Sequence, residues 1–286
     1  MLLAFLESRN ISKTFRSDKK TRHVLENVNL SVDPGEFVSI IGYSGSGKTT
    51  LLSLLAGLVA PDTGEVSICG KKLSGFPPRA SIVFQNYSLL PWFSALENVR
   101  LSVESAFPGW PRRKQQEQAH RFLEMVGLGN AAQKRPNQLS GGMRQRVAIA
   151  RAFATEPNVL FLDEPFGALD ALTRGNLQQE LARLCSALDR PVATVLITNN
   201  VQEAILLSDR IVPMTGGPRA TLGPAIPVLL KRPRSEALLL HDAGAVHIQA
   251  RVFEFLTGFT NSRRPAPLEK IASAPMVEMN GTRITT

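Results

Sequence analysis

Short apolar runs recur along the chain and are separated by turn-forming sequences. Three runs contain no charged residue and are rich in aliphatic side chains, a pattern typical of strands buried on both faces: residues 37–41, 159–162 and 192–197. Shorter or alternating runs predict further strands at residues 5–6, 24–32, 65–68, 81–84 and 210–212. Because helix-length segments lie between many of these strands, the pattern predicts an α/β fold with a mostly parallel sheet.

The pattern departs from this alternation in three places. From about residue 86 to 138 the chain is polar and helical, which predicts a helical insert, and the polar stretch 16–22 predicts a loop. A short amphipathic helix is expected at residues 245–257, with one face formed by Ile248, Val252, Phe255 and Leu256. Residues 260–286 are rich in Pro, Ser, Thr and Arg without any period, and we expect a disordered tail.

Composition and charge narrow the function only slightly. The net charge of +9 is compatible with binding to nucleic acid or to an anionic membrane surface, but the basic residues are spread along the chain. Two cysteines without metal-ligand spacing suit a reducing compartment. No run of apolar residues is long enough for a transmembrane helix, and the N-terminus predicts a strand rather than a signal peptide. We therefore expect a cytoplasmic protein that reaches any membrane through a partner.

A phosphate-binding loop is the first candidate for chemistry. Residues 42–49 fit the pattern G-x-x-x-x-G-K-[ST], with a predicted buried strand before them and an apolar helical segment after them. This order points backbone N–H groups and a helix N-terminus at a polyphosphate. In such a loop Lys48 reaches the β- and γ-phosphates, and the Thr49 hydroxyl ligates Mg²⁺.

Two carboxylates follow a second buried strand. Asp163 and Glu164 come directly after residues 159–162, at the strand end where ligands bind in open α/β sheets. Asp163 is predicted to hold Mg²⁺, and Glu164 to act as the general base that polarises the attacking water. With the phosphate loop, they predict a site for nucleotide hydrolysis.

The sequence Leu-Ser-Gly-Gly-Met-Arg-Gln at residues 139–145 is the most diagnostic stretch. A serine and two glycines at a helix start can form a second anion site, which one nucleotide in one chain does not need. Between the two preceding motifs, this sequence resembles the signature of the ATP-binding-cassette (ABC) ATPases. The resemblance covers about residues 5–240 and implies a P-loop ATPase core with an antiparallel β subdomain. It further implies a helical subdomain at about 86–157 and a C-terminal extension at 241–286, with ATP and Mg²⁺ as ligands.

Other positions are similar to the family residue by residue. Phe15 resembles the aromatic that stacks on adenine, Gln85 the glutamine that contacts Mg²⁺ and water, and Asp170 the D-loop aspartate at the dimer seam. The resemblance implies three catalytic residues, Glu164, Gln85 and Asn199, and three metal ligands, Thr49, Gln85 and Asp163. It implies nucleotide contacts from Phe15, Gly42, Tyr43, Ser44, Gly45, Ser46, Gly47, Lys48, Thr49, Thr50, Ser140, Gly141, Gly142 and Asp170.

One position departs from the family pattern. Asn199 stands where the family usually has the switch histidine. An amide can donate a hydrogen bond to a phosphate oxygen but cannot carry charge, so hydrolysis in this site is expected to be slow. The hypothesis that follows is a heterodimer whose other ATPase chain keeps the histidine; the alternative is a tolerated substitution in a working homodimer.

The choice of ABC protein depends on resemblance alone. The chain has one cassette and no fused membrane domain, and Leu-Leu-Pro-Trp at residues 89–92 is similar to the nitrate, sulfonate and taurine importers. Residues 198–210 and 212–224 look like one ATPase subunit of nitrate importers, with cyanate and bicarbonate importers as alternatives. This resemblance implies transmembrane permease subunits, a second ATPase subunit, an external binding protein and a position on the cytoplasmic face of the inner membrane. A soluble ABC ATPase acting on nucleic acid, and a regulatory subunit without turnover, remain as competing interpretations.

Overall fold

Two β-sheets and the helices packed on them form the framework of the protein. The computed structural model describes residues 4–17, 20–187 and 190–261. The strands are β1 (Leu6–Ser17), β2 (Lys20–Val32), β3 (Phe37–Ile41), β4 (Thr63–Ile68), β5 (Lys71–Lys72), β6 (Ala80–Val83), β7 (Val159–Asp163), β8 (Ala193–Thr198), β9 (Arg210–Pro213) and β10 (Ile226–Pro227). The helices are α1 (Lys48–Leu55), α2 (Ala95–Ala106), α3 (Arg112–Met125), α4 (Gly141–Phe153), α5 (Ala171–Ala187), α6 (Val201–Leu207), α7 (Glu236–His241) and α8 (Ala243–Asn261).

The larger sheet has the strand order β10-β9-β3-β8-β7-β6 and is parallel except for β10 at its edge. Every residue of β3, β7 and β8 is buried, which explains why these strands carry no charged residue except Asp163 at the end of β7. The mostly parallel sheet predicted from the sequence is confirmed. Residues 42, 164 and 199 follow the neighbouring strands β3, β7 and β8. Because parallel strands end at the same edge of the sheet, all three residues lie at that edge.

The smaller sheet is antiparallel, with the strand order β2-β1-β4-β5. β1 and β2 pair from Leu6↔Val32 to Ser17↔Lys20, so the described parts of residues 16–22 belong to a long hairpin. The predicted loop at 16–22 is therefore wrong in extent. Ladder hydrogen bonds to the partner strand keep these polar residues extended, although Arg16, Thr21 and Arg22 are exposed.

The core consists of two clusters on opposite faces of the larger sheet. One joins α1 to the antiparallel sheet, and the other joins α2–α4 to α5, α6 and α8. In the helical region, Ser94 begins α2 with a capping box: its hydroxyl accepts from Glu97 N at 3.2 Å, and Glu97 Oε2 accepts from Ser94 N at 2.8 Å. The helical insert is thus anchored on the same core as the sheet.

The C-terminal helices pack on the sheet side that carries α6. α8 contacts α6, β9 and β10 through a buried stripe containing Ala245, Ile248, Val252 and Leu256. α8 spans the range predicted for the amphipathic helix and continues to residue 261, so the predicted tail cannot begin at residue 260. The rest of that predicted tail, from 262 onward, lies outside the described residues. Among the described residues, no helix combines the length and apolar character needed to cross a membrane.

Candidate functional site

The phosphate loop connects β3 to α1 at the carboxyl edge of the larger sheet. Gly47 has φ +106°, and a Cβ there would lie 2.9 Å from Val24 Cγ1, so a larger residue would be both strained and crowded. α1 begins at Lys48 without a side-chain cap. Its first backbone N–H groups are therefore available to an anion at the helix N-terminus.

Lys48 is buried beneath this loop. Its Nζ donates to Gly42 O at 3.0 Å and Tyr43 O at 3.1 Å, and it lies 3.2 Å from Glu164 Oε1. The ammonium group is only 4% exposed. These contacts fix the cation beneath the loop, within reach of a phosphate lying on the backbone N–H groups.

Asp163 and Glu164 lie at the end of β7. Thr49 Oγ1 donates to Asp163 Oδ1 at 3.2 Å, and burial raises the pKa of the Asp163 carboxyl despite that hydrogen bond. Glu164 has φ +43°, in the left-handed region that a glutamate adopts at a cost. Backbone strain of this kind is concentrated at functional sites.

A cleft of about 430 Å³ joins these groups. It is lined by eleven residues, nine of which are predicted site residues; seven of these nine are Phe15, Ser44, Gly45, Gly47, Lys48, Thr49 and Thr50. Gln85 and Glu164 also line it. Phe15 is 45% exposed, so its ring face is accessible. The structure thus brings residues from β1, the loop, α1 and the ends of β6 and β7 into one cavity.

Arg22 and Val24 line the same cleft but were not predicted. Arg22 pairs with Phe15 across the β1–β2 hairpin. The sequence interpretation placed Arg22 in a loop, and only the pairing register puts its side chain beside the aromatic ring. No sequence motif marks this position.

The segment after β6 is fastened to α4. Arg151 Nη2 donates to Tyr87 O at 2.8 Å and Arg151 Nη1 donates to Ser88 O at 2.5 Å. Tyr87 and Ser88 both have positive φ, +63° and +47°. Arg151 therefore stabilises a strained turn two residues after Gln85, a contact that the sequence did not reveal.

The signature residues lie elsewhere. Ser140 caps α4, its hydroxyl accepting from Met143 N at 3.3 Å, and Gly141 and Gly142 form the first turn. None of these three residues lines the 430 Å³ cleft. A Cβ on Gly142 would lie 2.5 Å from Thr173 Cγ2, so the start of α4 packs tightly on the start of α5.

Asp170 precedes α5, where its Oδ1 accepts from Thr173 N at 3.0 Å. This backbone hydrogen bond lowers the pKa of Asp170, which is exposed. Like Ser140, Asp170 is absent from the cleft lining. These residues of one chain are therefore not arranged around one nucleotide.

Asn199 follows β8 and is exposed; it is not among the residues lining the cleft. Beneath it, the Thr198 hydroxyl donates to Glu203 Oε2 at 2.6 Å, and Glu203 lies 3.9 Å from Arg174 of α5. Burial raises the pKa of the Glu203 carboxyl. The segment that carries Asn199 thus rests on a buried polar network joining α6 to α5.

A resident metal cage is absent from the described part of the chain, which contains no group of three or more His, Cys, Asp or Glu residues suited to a metal ion. Thr49 and Asp163 supply two oxygen donors at the cleft. Such a pair fits a Mg²⁺ ion that takes its other ligands from substrate phosphates and water.

The fold and this arrangement are those of a nucleotide-binding cassette, and the chain belongs to the ABC transporter family, whose profile matches residues 25–167. It is 44% identical to the nitrate import ATP-binding protein NrtD of Synechococcus elongatus, over 88% of this chain and 91% of that protein. It is 43% identical to the bicarbonate transport ATP-binding protein CmpD of Synechocystis sp., over 88% of this chain and 89% of that protein.

Longer relatives and a solved structure match the same region. Identity to the bicarbonate transport ATP-binding protein CmpC of Synechococcus elongatus is 45%, with this chain spanning 38% of that protein's length. The dimeric post-hydrolysis structure of the ATP-binding cassette MJ0796 bound to ADP and Pi superposes with a TM-score of 0.70 at 33% identity. The match covers 79% of this chain and all of that one. The α/β cassette fold expected from the sequence is confirmed.

Proposed function

We propose that this chain is the ATP-binding and hydrolysing subunit of an importer for a small planar oxyanion, nitrate or bicarbonate. The observation that carries the proposal is the division of the site. The cleft is lined by residues of the phosphate loop, by Gln85 and by Glu164, and Asp163 is hydrogen-bonded to the lining residue Thr49, whereas Ser140 and Asp170 lie outside it. A second cassette, arranged head to tail, would supply its own signature residues to this cleft.

ATP binding is supported by the cleft itself. Phe15 offers an exposed ring for adenine stacking, and the loop N–H groups and Lys48 hold the phosphates. Thr49, Asp163 and Gln85 would hold Mg²⁺, which neutralises charge that develops on the phosphates. The raised pKa of Asp163 fits a buried carboxylate that lacks a cationic partner at hydrogen-bonding distance.

Hydrolysis would use Glu164 to take a proton from the attacking water, with Gln85 helping to orient that water. Because Asn199 cannot carry a positive charge, its hydrogen bond to the γ-phosphate would be weaker than that of a charged donor by about 1–1.5 kcal/mol. We infer a slow site in this subunit, paired with a second ATPase chain that keeps a histidine at the equivalent position.

Permease subunits are the proposed membrane partners, placing the chain peripherally on the cytoplasmic face of the inner membrane. A surface groove of about 700 Å³ lies between the sheet and the helical region. Its walls include the exposed Phe76 and Leu101. Ser88 and Arg151 also line it, so the groove reaches the turn that follows Gln85. Trp92, which is 62% exposed, follows the same loop. This apolar surface fits a short helix of a membrane subunit. An external binding protein would deliver the anion to that subunit.

Only the similarity to known importers bears on the choice between the two anions, because no residue of this chain is expected to contact the transported anion. NrtD and CmpD match this chain at nearly equal identity, 44% and 43%. Nitrate and bicarbonate share trigonal planar geometry and a single negative charge at neutral pH.

The nucleotide site is tested by fluorescence titration with a labelled ATP analogue. Lys48→Ala should abolish binding, and the exposed-lysine control Lys71→Ala should leave the affinity unchanged. Unchanged affinity in Lys48→Ala would refute the assignment of the loop. Single-turnover hydrolysis then separates an active ATPase from a regulatory subunit: no product after many minutes would favour the latter.

Transport is tested by uptake of ¹³N-nitrate and ¹⁴C-bicarbonate in cells that lack the gene and in cells complemented with it. Restored uptake of one anion that depends on Lys48 supports the proposal and names the cargo. Uptake of both anions unaffected by the deletion would contradict it.

A further inference from the structure

A second cavity, of about 710 Å³, lies between α5, α6 and the segment 232–235. Its lining includes Gln178 and Arg183 of α5, Leu206 of α6, and Arg232, Pro233 and Arg234. It shares no lining residue with the 430 Å³ nucleotide cleft. Its volume falls in the range of about 300–1,000 Å³ that is typical of pockets for organic ligands.

The cavity carries more positive than negative charge. Arg232 Nη2 donates to Leu207 O and Asp209 Oδ1, both at 2.8 Å, so its Nε and Nη1 donors have no partner in the described part of the chain. Arg183 is exposed and has no ion pair or hydrogen bond among the described residues. Two guanidinium groups on facing elements thus keep free donors toward the cavity.

Arg234 adds a third charge behind these two. All five of its N–H donors are used by the backbone oxygens of Ile205, Ser208, Val228 and Leu230. Burial and the neighbouring Arg232 lower the pKa of Arg234 to about 10.

Four carboxylates lie near the cavity. Asp209 is engaged by Arg232, and the Glu236 carboxylate lies against Gly175, where an added Cβ would come within 3.1 Å of Glu236 Oε1. Glu180, whose charge also acts on Arg183, pairs with Arg146 at 2.7 Å, and Glu203 lies 3.9 Å from Arg174. Since these two glutamates have arginine partners outside the cavity, the lining itself keeps an excess of positive charge.

We propose that this cavity binds a small organic dianion, with one carboxylate on Arg183, the other on Arg232 and its carbon frame against Leu206 and Pro233. Guanidinium groups bind carboxylates through paired, charge-assisted hydrogen bonds, so two separated arginines select a ligand with an anionic group at each end. The size and apolar wall of the cavity favour a dicarboxylate over a single inorganic ion.

The position of the cavity gives its occupant a route to the nucleotide site. Gln178 lines the cavity and its side chain contacts the Glu203 carboxylate. Glu203 accepts the Thr198 hydroxyl, one residue before Asn199. A ligand that draws α5 and the segment 232–235 together would bias this network, and we infer that it changes the rate of hydrolysis. This rate effect rests on the proposed function; the binding itself does not.

The experiment is isothermal titration calorimetry of the full chain with succinate, glutarate and adipate, repeated in the Lys48→Ala variant so that the phosphate loop does not contribute. At least one dicarboxylate should bind with 1:1 stoichiometry in both proteins. Arg183→Gln should weaken that binding about tenfold or more, the loss expected for a charge-assisted hydrogen bond. Arg113→Gln, which removes a 90% exposed arginine of α3, should leave it unchanged.

The outcomes separate the two proposals. No binding of any dicarboxylate, sulfate binding as tightly as the best dicarboxylate, or equal losses in Arg183→Gln and Arg113→Gln would each overturn the dianion site. ATPase activity is measured alongside. Binding without any change of rate in an active enzyme would overturn the regulatory role. Absence of hydrolysis would count against the proposed function while leaving the binding result intact.

Discussion

Asn199 is the residue on which the proposed slow hydrolysis depends most. It follows β8 at the sheet edge that also carries Glu164, and it is exposed, free to face a nucleotide. Hydrogen bonds hold both of its neighbours in the chain. The Thr198 hydroxyl donates to Glu203, and Asn200 caps α6, its Oδ1 accepting from Gln202 N at 2.8 Å. The backbone on both sides of Asn199 is therefore held by hydrogen bonds, so a substitution there should change the side chain and leave the local fold intact.

Asn199→His should raise the ATPase rate of the isolated chain by about tenfold, because a charged donor would hold the phosphate more strongly than the amide does by about 1–1.5 kcal/mol. The measurement is steady-state phosphate release. Asn199→Ala is the control and should not accelerate. A native chain that already turns over rapidly as a homodimer would contradict the slow-site proposal.

Glu203 provides a pH test of the buried network. Since burial raises the pKa of this carboxyl in the folded state, its contribution to stability is present below its ordinary pKa and is lost as pH rises. Glu203→Gln removes the ionisation and keeps an acceptor for Thr198. The Tm of the variant relative to the native protein should therefore be higher at pH 8 than at pH 5. A pH-independent difference, measured by calorimetry, would show that the carboxyl does not titrate differently on folding.

At the scale of elements, the contact between the starts of α4 and α5 is the tightest joint near the site. Gly142 and Thr173 meet there, and α5 follows directly from Asp170. Two residues proposed to contact a partner's nucleotide, Ser140 and Asp170, thus have a fixed mutual position within one chain. A glycine is therefore needed at position 142 for the packing of α4 on α5, independently of any role in binding a ligand.

Gly142→Ala should destabilise the fold by about 1–3 kcal/mol, since its Cβ would lie 2.5 Å from Thr173 Cγ2. Thr173→Ser deletes that methyl group, and the double variant should recover most of the loss. Denaturant unfolding of the single and double variants measures both values. A Gly142→Ala protein as stable as the native one, or no rescue by Thr173→Ser, would mean that the joint can relax.

At the scale of the whole molecule, the proposed division of the site predicts that a dimer is the unit of function. The related cassette MJ0796 is dimeric in its post-hydrolysis structure. If the site of this chain hydrolyses ATP slowly, removing the base Glu164 should change the lifetime of the ATP-bound dimer only slightly. The change should be larger when a histidine replaces Asn199. The dimer population in ATP therefore reports on the competence of the site.

Glu164→Gln should change the ATP-dependent dimer fraction much less in the native background than in the Asn199→His background. Light scattering after size-exclusion chromatography, with and without Mg-ATP, measures this fraction. A large rise of the dimer fraction in Glu164→Gln alone would mean that the native site hydrolyses ATP quickly, and the heterodimer proposal would then lose its basis.

The sequence by itself determined the elements whose chemistry is local. The phosphate loop, the buried strands β3, β7 and β8, and the cap of α4 follow from neighbouring residues, because glycine freedom, burial on both faces and capping act within a few positions. The α5 helix was not predicted, since its pattern of apolar residues is weak and its burial comes from α4 and α6.

Tertiary structure decided what depends on distant contacts. Hairpin register put Arg22 beside Phe15, the packing of α4 put Arg151 on the turn after Gln85, and the junction of α5 with residues 232–235 gathered three arginines around one cavity. The residues that meet in each of these contacts are separated in the sequence, and no local conformational preference determines that they meet. The same structure separated Ser140 from Lys48. The signature sequence alone led us to expect that separation. Its physical cause is the close packing of Gly142 on Thr173, which fixes the start of α4 on the start of α5 and leaves Ser140 outside the cleft.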